Sequence, residues 1–313
     1  MSRCAALAAA MKSDITIYLD PTGEHGAFPT RLDVHRESEP YGCALMLEAL
    51  GAGRHEGVLF DGPRFDSEMV GGMAKRVFTA QFVDHGLSGR ATLTIRPGLA
   101  DAASTQDGAH LFGPQYAPLD LVFEDGRERA SQRVHPKKVR RFLVSMGGHD
   151  SRNLSGICIG ALAKHGYMTT VVMSSSAPHL AAVTALAYKV GAALRVSPSP
   201  KEMIELLLRH DAAIGMAGVS MLERMACGLP SILVGIANNQ LSNLKAAADL
   251  GVALVVSPGT VPSAADIGAA ADALSNDRQQ RETIAAKGLA LVDAKGAHRL
   301  AEALEQALAV YRR

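Results

Sequence analysis

Residues Asp211 to Gln240 read DAAIGMAGVSMLERMACGLPSILVGIANNQ. AAIGM is a short apolar run that ends in a glycine-containing turn, helical spacing opens at Ser220, and SILVGI is a second apolar run. Two strands joined through a helix must pair in parallel, because a crossover of this length returns the chain to the same end of the sheet. This stretch therefore predicts an α/β domain whose working turns follow the carboxyl ends of its strands.

The same alternation extends in both directions. Upstream, RRFLVSM (Arg140 to Met146), YMTTVVM and ALRVS read as strands, separated by helical stretches over Asn153 to Gly166 and Ala177 to Val190, with another helix from Pro200. Downstream come a helix from Asn239, the strand VALVVS and three helical stretches near Ala264 to Ser275, Asp277 to Val292 and Ala297 to Arg312. Such regularity implies a parallel sheet covered on both faces.

In the first half, DITIYLD, EGVLFDG, RVFTAQFVD and ATLTIRPG read as strands and YGCALMLEALGAG as a helix. Between the halves, EDGRERASQRVHPKKVRR (Glu124 to Arg141) is charged and lacks apolar periodicity, which is a linker composition. The expected organisation is two Rossmann-like, doubly wound domains, residues 1–130 and 137–313, with a ligand cleft at the carboxyl ends of their strands.

Composition narrows the function. Lys+Arg 32 against Asp+Glu 31 leaves a formal charge of +1 over 313 residues, so no basic footprint argues for nucleic acid or an anionic membrane surface. No apolar run approaches the roughly 18 residues of a membrane span, and the start lacks a signal-peptide pattern. Cys4, Cys43, Cys158 and Cys227 stand singly, with no CxxC and no metal spacing, and read as reduced thiols of a cytoplasmic protein. Neither a metal nor another cofactor is expected.

Three turns carry the chemistry. SMGGHDSRN (Ser145 to Asn153) joins strand to helix through Gly147 and Gly148, where backbone N–H groups could approach a phosphate; the bland alternative is a tight turn with Asp150 or Asn153 as the helix cap. In GMAGVSMLERMA, the turn at Gly218, Val219 and Ser220 could face a diphosphate and Glu223 could take the paired hydroxyls of a ribose. Ser220 and Glu223 are also spaced as a capping box, as are Ser199/Glu202 and Ser263/Asp266. ANNQLSN (Ala237 to Asn243) offers uncharged amides, among them Asn239 and Gln240, for a sugar or a base edge, or simply an Asn cap. All three turns follow parallel strands, so they should share one rim.

LVSMGGHDSRN, DAAIGMAGVSMLERMACGLPSILVGIANNQ and LVDAKGAHRL (Leu291 to Leu300) together resemble the UDP-sugar hydrolases of pseudaminic acid synthesis, the UDP-2,4-diacetamido-2,4,6-trideoxy-β-L-altropyranose hydrolases. More distantly they are similar to the N-acetylglucosaminyltransferase that completes lipid II. The likeness covers most of Arg141 to Arg313 and is thinner before it, at CAALAAAM, the FVD ending at Asp84 and LFGPQYAPL. It implies the two-domain glycosyltransferase B fold, with UDP held by the C-terminal domain. By motif it places Gly147, Gly148 and Asn153 beside phosphate and sugar, Gly218, Val219 and Ser220 at the diphosphate, Glu223 on the ribose, and Asn239 and Gln240 at the sugar. Where the family continues with an Arg-Pro-Glu-Phe type segment, this chain has Asp120 and Leu121.

The family opens with a strand and a Gly-x-Gly-His loop before a helix matched here by MSRCAALA. The histidine assigned there as general base would fall just before Met1, so the first domain is expected to lack its first strand and the chain to be a shortened reading of a longer enzyme. Substitutes within the chain are Asp84, His25 and His85, each with the plainer reading of a turn or surface residue; His149 would sooner touch ligand. Hydrolysis of a UDP-linked amino or deoxy sugar is the expected activity, and a UDP-sugar is the expected partner. A glycosyltransferase of the same fold and a non-catalytic UDP-sugar binder are the alternatives.

Overall fold

The computed structural model describes residues 3–12, 16–19, 33–36, 56–61, 67–83, 90–101, 110–147, 150–235 and 238–312. The chain forms two compact units, Met1–Leu121 with Lys295–Arg313, and Val122–Ala294.

The first unit contains α1 (Arg3–Ala10), β1 (Thr16–Leu19), β2 (Asp33–Arg36), β3 (Gly57–Asp61), α2 (Ser67–Ala74), β4 (Phe78–Phe82), β5 (Leu93–Arg96) and β6 (His110–Phe112). β1 and β2 pair in parallel by themselves, and the other four form a parallel sheet in the order β3-β4-β5-β6. The strands expected at TIYL, GVLFD, FTAQF and LTIR are present, while β2 and β6 are additional. The helix expected over Tyr41 to Gly53 lies outside the described residues.

The second unit runs through α3 (Phe123–Ala130), β7 (Arg141–Ser145), α4 (Leu154–Lys164), β8 (Met168–Met173), α5 (Leu180–Val190), β9 (Ala193–Val196), α6 (Pro200–Arg209), β10 (Ala212–Gly215), α7 (Val219–Ala226), β11 (Ser231–Val234), α8 (Asn238–Leu250), β12 (Leu254–Val256), α9 (Ala264–Asn276) and α10 (Arg278–Leu291). Its six strands are all parallel, in the order β12-β11-β10-β7-β8-β9. Phe142, Val144, Val171, Ile214, Ile232 and Val234 are fully buried, as expected of central strands covered by helices.

The division between units differs from the 130 to 137 boundary read from composition. Glu124 to Arg141 is not a loose tether: Phe123, Gly126 and Ala130 form a narrow buried stripe on α3, which packs against α6 and α7. Arg133 then donates to the carbonyl oxygens of His210 at 2.8 Å and Leu207 at 2.7 Å, and to that of Cys227 at 3.3 Å. Three buried positions were too few to register as periodicity amid the surrounding charges.

The last helix, α11 (Gly296–Tyr311), belongs to the first unit. Leu300, Ala301 and Leu304 complete a core with Leu7 of α1 and with Phe78, Phe82 and Ile95 of the sheet. A Cβ on Gly296 would fall 2.2 Å from the Ala117 carbonyl oxygen, so only glycine permits this approach. Within the same unit, Arg3 of α1 pairs with Asp61 at the end of β3 and lies 4.8 Å over the Phe82 ring.

Candidate functional site

The sheet of the second unit reverses direction between β7 and β10. From β7 the chain moves outward through β8 and β9; it then returns to the other side of β7 as β10 and continues through β11 and β12. In a parallel α/β sheet such a reversal separates the two flanking helices at the carboxyl ends, leaving a crevice there. Ser145 and Gly215 are register partners at those ends, and β11 lies next to β10. The turns after β7, β10 and β11 therefore share one rim.

The turn after β10 is built to leave N–H groups open. Gly218 occupies the N-cap position of α7 with φ −102° and ψ −157°, and no side chain caps the helix. Ser220 is thus the second helical residue, two positions too late to act as the cap. The capping boxes spaced the same way at Ser199/Glu202 and Ser263/Asp266 do form, with backbone N–H to Ser Oγ distances of 3.3 and 3.1 Å. The first N–H groups of α7 have no cap side chain and carry the positive end of the helix dipole. Two side chains brace the turn from outside: Arg224 Nη2 donates to the Met216 carbonyl at 2.8 Å and Asn243 Nδ2 to that of Ala217 at 3.3 Å. Glu223 is half-buried in the first turn and a half of the helix.

Arg224 was not singled out from the sequence. It is 0% exposed, and its Nε and Nη1 have no hydrogen-bond partner among the described residues. Helical side chains lean toward the N-terminus, which carries the guanidinium back beneath the turn. A Cβ on Gly215 would lie 2.5 Å from Nη1. Burial pushes the guanidinium pKa down to about 10, against the opposing charge of Glu223, so the group remains cationic at neutral pH. The available signal was its spacing: Arg224 lies three residues after buried Met221 and next to buried Met225, on the face that enters the core.

The turn after β7 is different. Gly147 has φ +77°, a conformation that suits glycine. Asp150 is buried and accepts from Leu154 N at 2.8 Å and Ser155 N at 3.0 Å, while Asn153 Oδ1 accepts from Gly156 N at 3.2 Å. Asn153 is the N-cap of α4 in a left-handed conformation. The first N–H groups of α4 are thereby satisfied within the protein. Gly148 and His149 lie outside the described residues.

After β11, Asn239 lies in the first turn of α8. Gln240 Oε1 is buried with no hydrogen-bond partner among the described residues, and a Cβ on Gly235 would lie 3.1 Å from it. His25, Asp84 and His85 fall outside the described residues. A hollow of about 310 Å³ lined by Arg129, Arg133, His135, Arg141, His210 and Asp211 sits at the amino ends of β7 and β10, the opposite end from the rim. Among the described residues no three His, Cys, Asp or Glu side chains gather as metal ligands, and no helix is long and apolar enough to cross a membrane.

No family model matches the chain. The spore coat polysaccharide biosynthesis protein SpsG of Bacillus subtilis (strain 168) is 26% identical over 197 residues, which are 62% of this chain and 57% of that protein. The chain thus matches little more than half of the relative's length. Among solved structures, MurG of Acinetobacter baumannii superposes with TM-score 0.66 at 13% identity, covering 97% of this chain and 95% of that one. Anabaena Alr3699/HepE in complex with UDP and glucose gives 0.61 at 13% identity, with the same 97% and 95% coverage. S. aureus MnaA with UDP gives 0.61 at 10% identity, covering 99% and 94%. These likenesses establish a two-domain α/β fold of the glycosyltransferase B type.

Proposed function

We propose that the chain is an enzyme of sugar-nucleotide metabolism that holds UDP at the carboxyl rim of its second sheet and transfers the attached amino or deoxy sugar to water. The observation that carries this reading is the uncapped start of α7 at the sheet's reversal point, with Glu223 on the same helix. Backbone N–H groups of Gly218, Val219 and Ser220 would take the diphosphate without a charged side chain at the surface. Glu223 would accept the ribose hydroxyls, and Gly147, Gly148, Asn153, Asn239 and Gln240 would border the phosphate and sugar. Gln240 offers a buried acceptor that lacks a donor among the described residues, which suits a sugar hydroxyl.

In this reaction the water oxygen bonds to the anomeric carbon as the bond from that carbon to the phosphate oxygen breaks. UDP leaves with the electron pair and needs no proton to be a good leaving group, so the helix terminus acts on charge that grows during the step. The water's proton passes to a base outside the described residues, for which Asp84, His25 and His85 are the candidates.

The relative SpsG is named for polysaccharide biosynthesis, and two structural neighbours hold UDP, which supports a sugar-nucleotide substrate. A second reading, transfer of the sugar to a hydroxyl acceptor, is favoured by the likeness to a glycotransferase of kitacinnamycin, TM-score 0.62 at 15% identity. Incubation with UDP-linked sugars and no acceptor decides between them. Release of free sugar and UDP is expected; UDP formed only when a hydroxyl acceptor is added would replace hydrolysis by transfer, and UDP bound without turnover would leave a binding protein.

A further inference from the structure

Two arginines, Arg224 and Arg281, are fully buried in the second unit and a third, Arg133, is partly buried; Arg281 and Arg133 are engaged at both terminal nitrogens. Arg281 Nη1 donates to the carbonyls of Leu274 and Ser275, and its Nη2 to those of Pro136 and Lys137. Arg133 spans the three carbonyls named above. Each ties backbone together, and carbonyl dipoles neutralise much of its charge. The Nε of all three lacks a partner among the described residues, but Arg224 differs at its terminal nitrogens: it makes one hydrogen bond, from Nη2 to Met216, and leaves Nη1 unmatched. Neighbouring Glu223 offsets part of its charge, but a buried cation with a single hydrogen bond still destabilises the protein that holds it, and a further negative group arriving from elsewhere would relieve that cost.

Its position says where that group would sit. Met216, which it holds, opens the turn that starts α7, and Gly215 beside it is the register partner of Ser145 at the reversal point. The guanidinium therefore lies under a helix start that no side chain caps, whereas α4 next door is already satisfied by Asp150 and Asn153. The bond from Nη2 to the Met216 carbonyl sets the charge against the backbone of the turn, and glycine at 215 permits that approach, since a Cβ there would lie 2.5 Å from Nη1.

We propose that Arg224 is the buried counter-charge of this turn. Resting on the reading of the turn as a diphosphate site, it is a positioning residue: it fixes the Met216 carbonyl and adds positive potential through the backbone to the N–H groups that receive the diphosphate. Its field acts most strongly on the phosphates, which carry the ligand's charge, and much less on the uncharged nucleoside. Replacing it therefore separates affinity for charge from affinity for the nucleoside. Because the ligand does not touch the guanidinium, a lysine that keeps the charge in place keeps most of the effect.

The test uses the full chain and three ligands: UDP, UMP and uridine, titrated by calorimetry or competition against wild type, Arg224→Met and Arg224→Lys, with thermal unfolding of each ligand-free protein. Arg224→Met is expected to bind UDP about 10 to 100-fold more weakly and uridine within about 3-fold of wild type, with UMP between, at an unfolding temperature not lowered. That pattern follows from removing an unpaired buried charge in favour of an apolar chain of similar length. Arg224→Lys should recover most of the UDP affinity. Equal losses for UDP and uridine, or unchanged UDP binding by Arg224→Met, would overturn the inference and leave the diphosphate reading standing. If wild type itself fails to bind UDP, the reading falls and the inference with it. Should Arg224→Met not fold, Arg224→Gln, which keeps a donor without the charge, is measured with the same ligands and judged by the same ratio.

Discussion

Gly215 and Ser145 end adjacent strands so closely that a Cβ on Gly215 would fall 2.6 Å from the Ser145 carbonyl oxygen. Neither that oxygen nor the strand behind it can withdraw. Gly215→Ala should therefore destabilise the second unit by about 1–3 kcal/mol through overpacking, measured by denaturant unfolding. Gly218→Ala meets nothing within 4 Å and has negative φ, so it should fold nearly as well as wild type while its methyl group occupies the space above the turn. A Gly218→Ala protein that loses stability but keeps UDP affinity would contradict this division.

Ser220 and Ser199 look alike in the sequence and should behave oppositely. Ser199→Ala removes a formed capping box and should lower the unfolding temperature by roughly 2–4 °C. Ser220→Ala removes no cap and should leave that temperature within about a degree. If Ser220 faces the diphosphate, its loss appears in UDP affinity alone.

Glu223 tests the ribose assignment through the ligand's own hydroxyl. Wild type should prefer UDP to 2′-deoxy-UDP by about 10 to 100-fold, the range of a charged hydrogen bond of roughly 1.5–3 kcal/mol. In Glu223→Ala the two ligands should bind alike, and by less than UDP binds wild type. Discrimination that persists in the variant would assign the ribose to another residue.

His210 makes stability depend on pH. Its ring is buried, with Nδ1 2.6 Å from the Leu206 carbonyl oxygen and Nε2 2.9 Å from Thr170 Oγ1. A carbonyl only accepts, so Nδ1 carries the proton and Nε2 accepts from the threonine hydroxyl. Burial first, and the nearby Arg141 and Arg133 charges, hold its pKa below the usual imidazole value, against the Leu206 bond and Asp211. His135, buried near Arg133 and Arg281, is shifted the same way. The unfolded chain then binds more protons than the folded one below about pH 6.5, so stability falls as pH drops through that value toward the folded pKa. The loss should be at most about 1.4 kcal/mol per pH unit for each histidine. Thermal unfolding at pH 7.5 and 5.5 should show it, and His210→Gln should reduce the slope; a slope unchanged in the variant would assign the acid sensitivity elsewhere.

The strands and helices of the second unit could be read from sequence because each strand is buried on both faces, giving uniform apolar runs such as FLVS and SILV, while its helices alternate. The shared rim followed from those elements. Other features depend on contacts between distant segments. The helix near Glu124 is stabilised by three small or aromatic positions against α6 and α7, and nothing in its charged sequence reveals that face. Whether a serine caps a helix turns on an offset of two residues: Ser199 immediately precedes its helix, whereas Gly218 takes that place two residues before Ser220. Arg224 escaped because one arginine on a helix is ordinarily a solvated charge, and only the fold shows its burial.

The return of α11 to the first unit gives the chain an order of assembly. Val122–Ala294 is a continuous insertion that contains every strand of its own sheet, so it can complete its fold while the polypeptide is still being made. The first unit cannot: Leu300, Ala301 and Leu304 belong to its core and are synthesised only after the second unit. Until they arrive, Leu7, Phe78 and Phe82 lack that part of their packing, and the nascent protein carries a finished second unit beside a first unit that is open to chaperones and proteases.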